Sequence, residues 1–360
     1  MRRCLLLLCV WLLTVPCFAV AQKNNIVDNI KIGGWIDGQY RYTESDDVGS
    51  SVFQIRRARL DVKGRLAERI SFRLHGELAS SPRLLDAYVQ VHLNRYATIQ
   101  IGQFKTPYTL ENALSPSELE LSDNTQGVNA LAGYSDITGV SNYSGGRDVG
   151  IMLTGDLIMW ESSDKTLPLL SYKMGVFGGN GINTKKDNMG KDFSARIDFC
   201  PFVENLILSA STYIGNYDMP YQGTLTGLDG KRIRYAAGAS YVGKHLMIRG
   251  EYLYGMTDFA MFDSVQNSHY ANRINTQGAY IAAGWWFYTG PDAKGRFRPL
   301  ARLDYYKKDI VSDAPSWQYS CGVEWWPEKH LRLQLAYTLC DSPQTKTTEQ
   351  RLTAMASVKF

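Results

Sequence analysis

Residues 52–66 read VFQIRRARLDVKGRL. From Arg57 onward every second residue is charged: Arg57, Arg59, Asp61, Lys63 and Arg65. Ala58, Leu60, Val62, Gly64 and Leu66 lie between them. A period of two belongs to a strand with unlike faces, here one apolar and one mostly cationic. In a soluble sandwich the charged face meets water outside and the apolar face meets a core. In a membrane barrel the assignment inverts, so that apolar residues meet lipid and charges line a lumen.

The same period runs along the chain. Ile30, Ile32, Gly34, Ile36, Gly38, Tyr40 and Tyr42 share one face, with Lys31, Trp35, Asp37, Gln39 and Arg41 on the other. Ile70, Phe72, Leu74, Gly76 and Leu78 alternate with Arg69, Ser71, Arg73, His75 and Glu77. Runs of this kind predict sixteen strands near 30–42, 52–66, 69–79, 85–94, 97–105, 147–158, 167–177, 191–201, 205–218, 231–243, 245–256, 275–289, 297–308, 315–326, 331–340 and 350–360. The connections alternate in length. One side carries long segments (43–51, 80–84, 106–146, 178–190, 219–230, 257–274, 309–314, 341–349), and the other mostly short turns.

Three features favour the barrel over a sandwich. Many strands reach the ~9–11 residues that cross a bilayer. Aromatics sit at strand ends on the apolar face: Tyr42 and Trp317 at one rim, Trp285, Phe287 and Trp325 at the other. The last strand carries Leu352, Ala354, Ala356, Val358 and Phe360 on its apolar face, a form suited to outer-membrane assembly machinery. The fold class expected is therefore all-β, a transmembrane antiparallel barrel of sixteen strands. A barrel of that size leaves an aqueous channel, in which lumen charges stay solvated and need no partners.

Composition agrees. Of 360 residues, Tyr 22, Gly 32 and Trp 8 stand against Pro 12. Met1–Ala21 reads as a signal peptide, with Arg2 and Arg3 before an 11-residue apolar run, Leu5–Val15, and small residues Ala19 and Ala21 before a cut ahead of Gln22. Residues 22–360 then form one barrel domain. Losing Arg2 and Arg3 takes the formal charge from +4 to +2 (4 − 2), so net charge says little about partners. Outside the signal segment remain Cys200, Cys321 and Cys340, an odd number expected as free thiols, the latter two on opposite faces. No GxSxG, Walker or HExxH pattern occurs, and the five histidines (75, 92, 245, 269, 330) have no metal-ligand spacing. Nothing asks for an enzyme, a cofactor, a metal or a nucleic-acid partner.

The chemistry lies in charge. Arg57, Arg59, Lys63, Arg65, Arg69 and Arg73 fall on the lumen face of two neighbouring strands and form one strip, since cross-strand neighbours lie ~5 Å apart. Such a strip focuses field and concentrates anions, and arginine forks suit phosphate and carboxylate. Inward acids also occur: Asp37, Glu77, Asp86, Asp198, Glu251, Asp304 and Glu324. The long segment 106–146 carries Glu111, Glu118, Glu120 and Asp123 and no Lys or Arg. It is long enough to fold into the pore and narrow it, with Lys105 at its root beside the constriction.

The run Gly102-Gln103-Phe104-Lys105-Thr106-Pro107-Tyr108-Thr109-Leu110-Glu111, together with IRRARLDVKGRL at 55–66, resembles the phosphate-selective porin O/P family. The resemblance covers essentially the whole chain after the signal segment. It implies a trimeric sixteen-stranded porin of the Gram-negative outer membrane whose third outer loop turns inward. It also implies an arginine ladder, here Arg57, Arg59, Lys63 and Arg65, leading to a basic binding zone with Lys105 as a candidate. The function expected is passive diffusion of small anions, phosphate or related oxyanions. A non-specific porin and a barrel whose outer loops bind external ligands are the alternatives.

Overall fold

The computed structural model describes residues 29–46, 48–140, 144–162, 165–184, 190–289, 295–342 and 347–360. The signal segment 1–21 lies outside them. The strands are β1 Ile30–Ser45, β2 Val48–Ala67, β3 Ile70–Glu77, β4 Arg83–Asn94, β5 Ala97–Lys105, β6 Arg147–Ser162, β7 Lys165–Phe177, β8 Asp192–Phe199, β9 Leu206–Tyr221, β10 Thr224–Val242 and β11 Leu246–Asp263. Next comes β12, the two stretches Ser268–Trp285 and Phe287–Thr289, which keep one register against β13, Gly295–Lys307. Then follow β14 Ser316–Glu328, β15 Leu331–Ser342 and β16 Thr347–Lys359.

Each strand pairs antiparallel with its sequence neighbours, and β1 pairs with β16 from Trp35↔Lys359 to Ser45↔Glu349. The sheet closes as a sixteen-stranded barrel with no free edge, so every strand finds both hydrogen-bonding partners. The alternation expected from sequence is the alternation observed. Ile32, Ile36, Leu60, Leu74, Ile101, Ile151 and Leu335 are exposed on the outside, while Asp37, Glu77, Asp86, Arg196, Arg232 and Arg298 are buried inward. Trp285, Phe287 and Trp325 form an exposed outer belt at the rim, and Phe287 stacks on Phe297 with centroids 4.9 Å apart. Cys321 is exposed and Cys340 buried, and neither they nor Cys200 form a disulfide.

Two expectations need correction. Several of the long connections are not loops. Residues 43–45, 219–221, 257–263 and 268–274 continue the strands, so β9–β12 run as tall hairpins closed by turns at 222–223 and 264–267. These stretches mix polar and apolar residues without a period of two, which hid the ladder from a pattern search. Nor is the alternation of β2 unbroken. Asp37 pairs with Arg57 but Gly38 with Ile55, so Arg56 is an extra residue in a bulge, and Arg56 and Arg57 both turn inward.

The segment 106–146 holds two short helices, α1 Leu110–Ala113 and α2 Gln126–Leu131. Its root is pinned where Thr106 donates from its amide and its hydroxyl to the Gly146 carbonyl, at 2.9 and 3.2 Å. Gly146 has φ +70, and a Cβ there would stand 2.1 Å from the Asn112 side chain, so this junction takes only glycine.

Candidate functional site

The segment 106–146 lies against inward-facing side chains of most of the barrel. Tyr108, Val128, Ala130, Leu131 and Ala132 pack on Tyr213, Ala236 and Leu253 of β9, β10 and β11. Leu121 packs on Leu300 and Ala336. α2 sits so close to β12 that a Cβ on Gly278 would stand 2.8 Å from Gly127 Cα. Lumen residues that are apolar or lack a side chain are thus the seat of the loop.

Ion pairs and hydrogen bonds finish the attachment. Arg234 grips Asp136 through both guanidinium nitrogens, at 2.7 and 2.8 Å, and Arg249 donates to Glu120. Glu251 accepts the Leu110 and Glu111 amides at the start of α1 (2.5 and 3.1 Å), satisfying donors a helix start leaves free. Asp304 accepts the Gln126 amide at 2.9 Å. Arg332 donates to the Ser117 and Leu119 carbonyls, and Arg196 to the Thr109 carbonyl. Within the loop, both Glu111 oxygens accept from Thr125, and burial pushes this carboxyl up to about 7.

The inward acids all have partners. Asp37 pairs with Arg57 at 3.2 Å, Glu77 with Arg59 at 2.7 Å, Asp86 with Arg147 at 2.7 Å and Asp198 with Arg196 at 2.7 Å; Glu324 takes Arg298 and Arg332. The expectation of solvated, partnerless lumen charges therefore fails for most of the strip. Arg57 and Arg59 are about nine-tenths buried, their charges matched by carboxylates on β1 and β3, and Arg59 lies over Trp35. Buried guanidinium ions need such partners. Lys63, with 58% of its side chain exposed, reaches Asp61 at 3.8 Å, Arg65 and Arg69 are exposed, and Arg73 bridges Asp61 at 2.7 Å and Asp86 at 3.6 Å. His75 is held by Asp86 and His92 lies among Ser71 and Thr98, which is polar packing rather than a site.

Because the loop covers the wall from β8 round to β2, space remains on the side of β3–β7. A cavity of about 330 Å³ lies between this wall and the loop segment 106–118. Arg73, Lys105, Arg147, Lys173 and Arg196 line it, with Asp86 and Glu118 the acids, and Tyr88, Phe104, Pro107 and Met152 between them. A second cavity of about 400 Å³ toward the short turns shares Arg73 and Tyr88 with the first and adds Lys31, Lys63 and Arg65. The cationic strip and the loop root thus meet along one tract.

Lys105 lines the tract, but its ammonium donates to the Asn112 and Leu114 carbonyls at 2.7 and 2.5 Å, where α1 ends. It holds the loop and adds field. Lys173 is absent from the sequence reading, and its ammonium makes no hydrogen bond or ion pair among the described residues. It stands directly opposite Arg196 across the β7–β8 ladder. Like charges opposite one another destabilise a sheet, so this pair concentrates positive charge at the cavity wall. Its signal was available: Lys173 and Arg196 share the inward parity of their strands. No group of three or more metal-ligating side chains occurs among the described residues.

A family profile for phosphate-selective porin O and P matches residues 29–360. The chain belongs to this family. It is an outer-membrane porin of the Gram-negative envelope, a channel by family and by barrel. Solved structures share the fold at low identity. The anion-selective porin from Comamonas acidovorans aligns with TM-score 0.62 at 14% identity, over 92% of this porin and 99% of that chain. The trimer form of in-vitro folded OmpT from Vibrio cholerae gives 0.60 at 11%, over 92% and 99%. The outer membrane channel DcaP of Acinetobacter baumannii gives 0.58 at 15%, over 92% and 97%. No curated protein matches the sequence.

Proposed function

We propose that this porin passes small anions, phosphate or related oxyanions, down their gradient through the tract between the loop and β3–β7. The observation that carries the reading is the charge of that tract. Five cationic side chains face the main cavity against two acids, and one of the five, Lys173, makes no ion pair among the described residues. Lys63, Arg65 and Arg69 act as the approach, with Arg73 joining the two cavities. Arg57 and Arg59, matched by carboxylates, shape the wall and hold the loop side. Lys105 and Arg147 set the narrow part. Diffusion supplies the driving force, so weak successive sites suffice. Anion selectivity and a trimer in the related folds support the same reading for this chain. Export by a signal cut near Ala21, and assembly read from the Phe360 end, complete it.

The test is single-channel current of the detergent-folded protein in a salt gradient, followed by added phosphate. A reversal potential on the anion side, with phosphate block in the millimolar range or below, is the expected result. Unbiased current without block would make this a general porin, and no current would turn attention to the outer hairpins as a binding surface.

A further inference from the structure

The outer wall carries a hollow of about 610 Å³ over β12, β13 and β14. Ala283, Ala301 and Cys321 stand side by side in one row of the ladder and form its floor. One row nearer the long connections, Ile281, Leu303 and Tyr319 wall it, and Tyr337 and Leu339 close its end on β15. Toward the short turns follow Pro299 and Val323, and then the belt of Trp285, Phe297 and Trp325. Ala301 lies four residues from Phe297, and Cys321 four from Trp325. That is about 13 Å along strands that rise ~3.3 Å per residue. At the usual strand tilt it is about 10 Å of depth, close to the middle of an apolar band ~25 Å tall.

Below this belt the β10–β11 turn presents Lys244 and His245. His245 stacks on Trp285 with centroids 5.7 Å apart and meets the Tyr288 ring edge-on at 5.5 Å, and the Tyr288 hydroxyl donates to the Lys244 carbonyl at 2.7 Å. The Lys244 ammonium makes no ion pair among the described residues. Of the acids on neighbouring turns, Glu204 accepts from the Ser162 hydroxyl, and Glu328 is followed by Lys329. We propose that this wall seats one glycerophospholipid of the periplasmic leaflet, its phosphodiester beside Lys244 and His245 and one acyl chain in the hollow. At that depth no water is present to fill a gap, and an empty hollow forfeits dispersion contacts on every atom that lines it. A hydrocarbon chain is the material at hand. The direction of entry follows from the walls. Bulky side chains close the hollow on the outer side, while the belt and the cation lie toward the short turns, which face the periplasm in such barrels. At the outer end of these strands Lys307 donates to the Ile310 carbonyl at 2.9 Å and shares the rim with exposed Asp341, which disfavours a phosphate there. The site lies outside the lumen and does not depend on how the lumen selects ions.

The experiment is native mass spectrometry of the detergent-folded porin titrated with phosphatidylglycerol, with lipid A as the competitor from the other leaflet. The wild type should take up one phosphatidylglycerol per chain. Ala301→Leu with Cys321→Leu fills the hollow from the lipid side and should raise the half-saturating lipid concentration several-fold. Lys244→Gln with His245→Gln should weaken phosphatidylglycerol several-fold while leaving uncharged diacylglycerol as it was, and this pair serves if the filled variant fails to fold. Equal uptake by the filled variant, equal phosphatidylglycerol affinity without Lys244 and His245, or stronger uptake of lipid A at a site that the filling also removes would overturn the proposal.

Discussion

Lys173 separates charge that is committed from charge that is available. Arg57, Arg59, Arg147 and Arg196 each spend a guanidinium on a carboxylate. Lys173 faces Arg196 across the ladder and the cavity in front. A unit charge beside a passing ion is worth about 1 kcal/mol in water at contact distance, or roughly a fivefold change in local concentration. Lys173→Gln should therefore lower the anion-to-cation permeability ratio several-fold, read from the reversal potential. It should leave the thermal transition in place or raise it slightly, because it removes a like-charge pair. Neutralising Arg59 should behave differently, since it strands Glu77, which also accepts the Ala58 amide. Among loop residues, Glu111 should confer a pH dependence. Its carboxyl moves from 4.5 to about 7, chiefly by burial, with Asp304 pushing the same way and Arg302 opposing. The folded state thus keeps a proton that the unfolded state has lost between those values. The stabilisation is complete below about pH 4.5 and fades as pH rises through about 7. Amide exchange of residues 110–125 should quicken over that window, and Glu111→Gln should flatten the profile.

At the scale of elements, the loop is held as a packed layer and not as a flap. α2 rests on β12 through Gly127 and Gly278, where even one methyl has no room. Overpacking of this kind costs roughly 1–3 kcal/mol. Gly278→Ala should unseat α2, seen as lost amide protection at 126–131 and lower single-channel conductance as the loop shifts toward the open side. The barrel's own heat resistance should stay. Unchanged protection would mean that the Gly–Gly contact does not hold α2. Much of this scale was legible beforehand. All sixteen strands follow from the period of two, because lipid outside and water inside demand opposite faces at every step. The strand tops past residues 218 and 256 were not legible, since Met219, Phe259, Met261 and Phe262 mix with polar residues on both faces there and the period vanishes. The inward fold of the loop was readable from its length and from the family resemblance. Its landing place was written more faintly, in the apolar interruptions Tyr213, Ala236, Leu253 and Leu300 of an otherwise polar face. The bulge at Arg56 left no mark in the residue pattern, because Arg-Arg fits either register.

For the whole molecule, the distribution of charge explains which part of the lumen stays open. The segment 106–146 carries five acids and no base. Its carboxylates and carbonyls are drawn to the arginines of β1, β2, β8, β10, β11, β13, β15 and β16. That side is filled and neutralised. The side of β3–β7, with the end of β2 beside it, keeps Lys63 and Arg65 exposed and Arg73 and Lys173 partly exposed at the cavities. A field made by such partly solvated charges has a reach set by salt. The Debye length falls from about 10 Å at 0.1 M to about 3 Å at 1 M. Lys63 and Lys173 lie in different cavities, so each should act on its own stretch of the path. Anion preference should be strong in tenfold gradients centred near 0.1 M and weak in those centred near 1 M. The double variant Lys63→Gln, Lys173→Gln should lie near the high-salt value at every concentration. A sieve working by width alone would give a preference that salt leaves untouched, and the double variant would then match the wild type. Reversal potentials across this range decide between the two, because one mechanism is long-ranged and screened and the other acts only by contact.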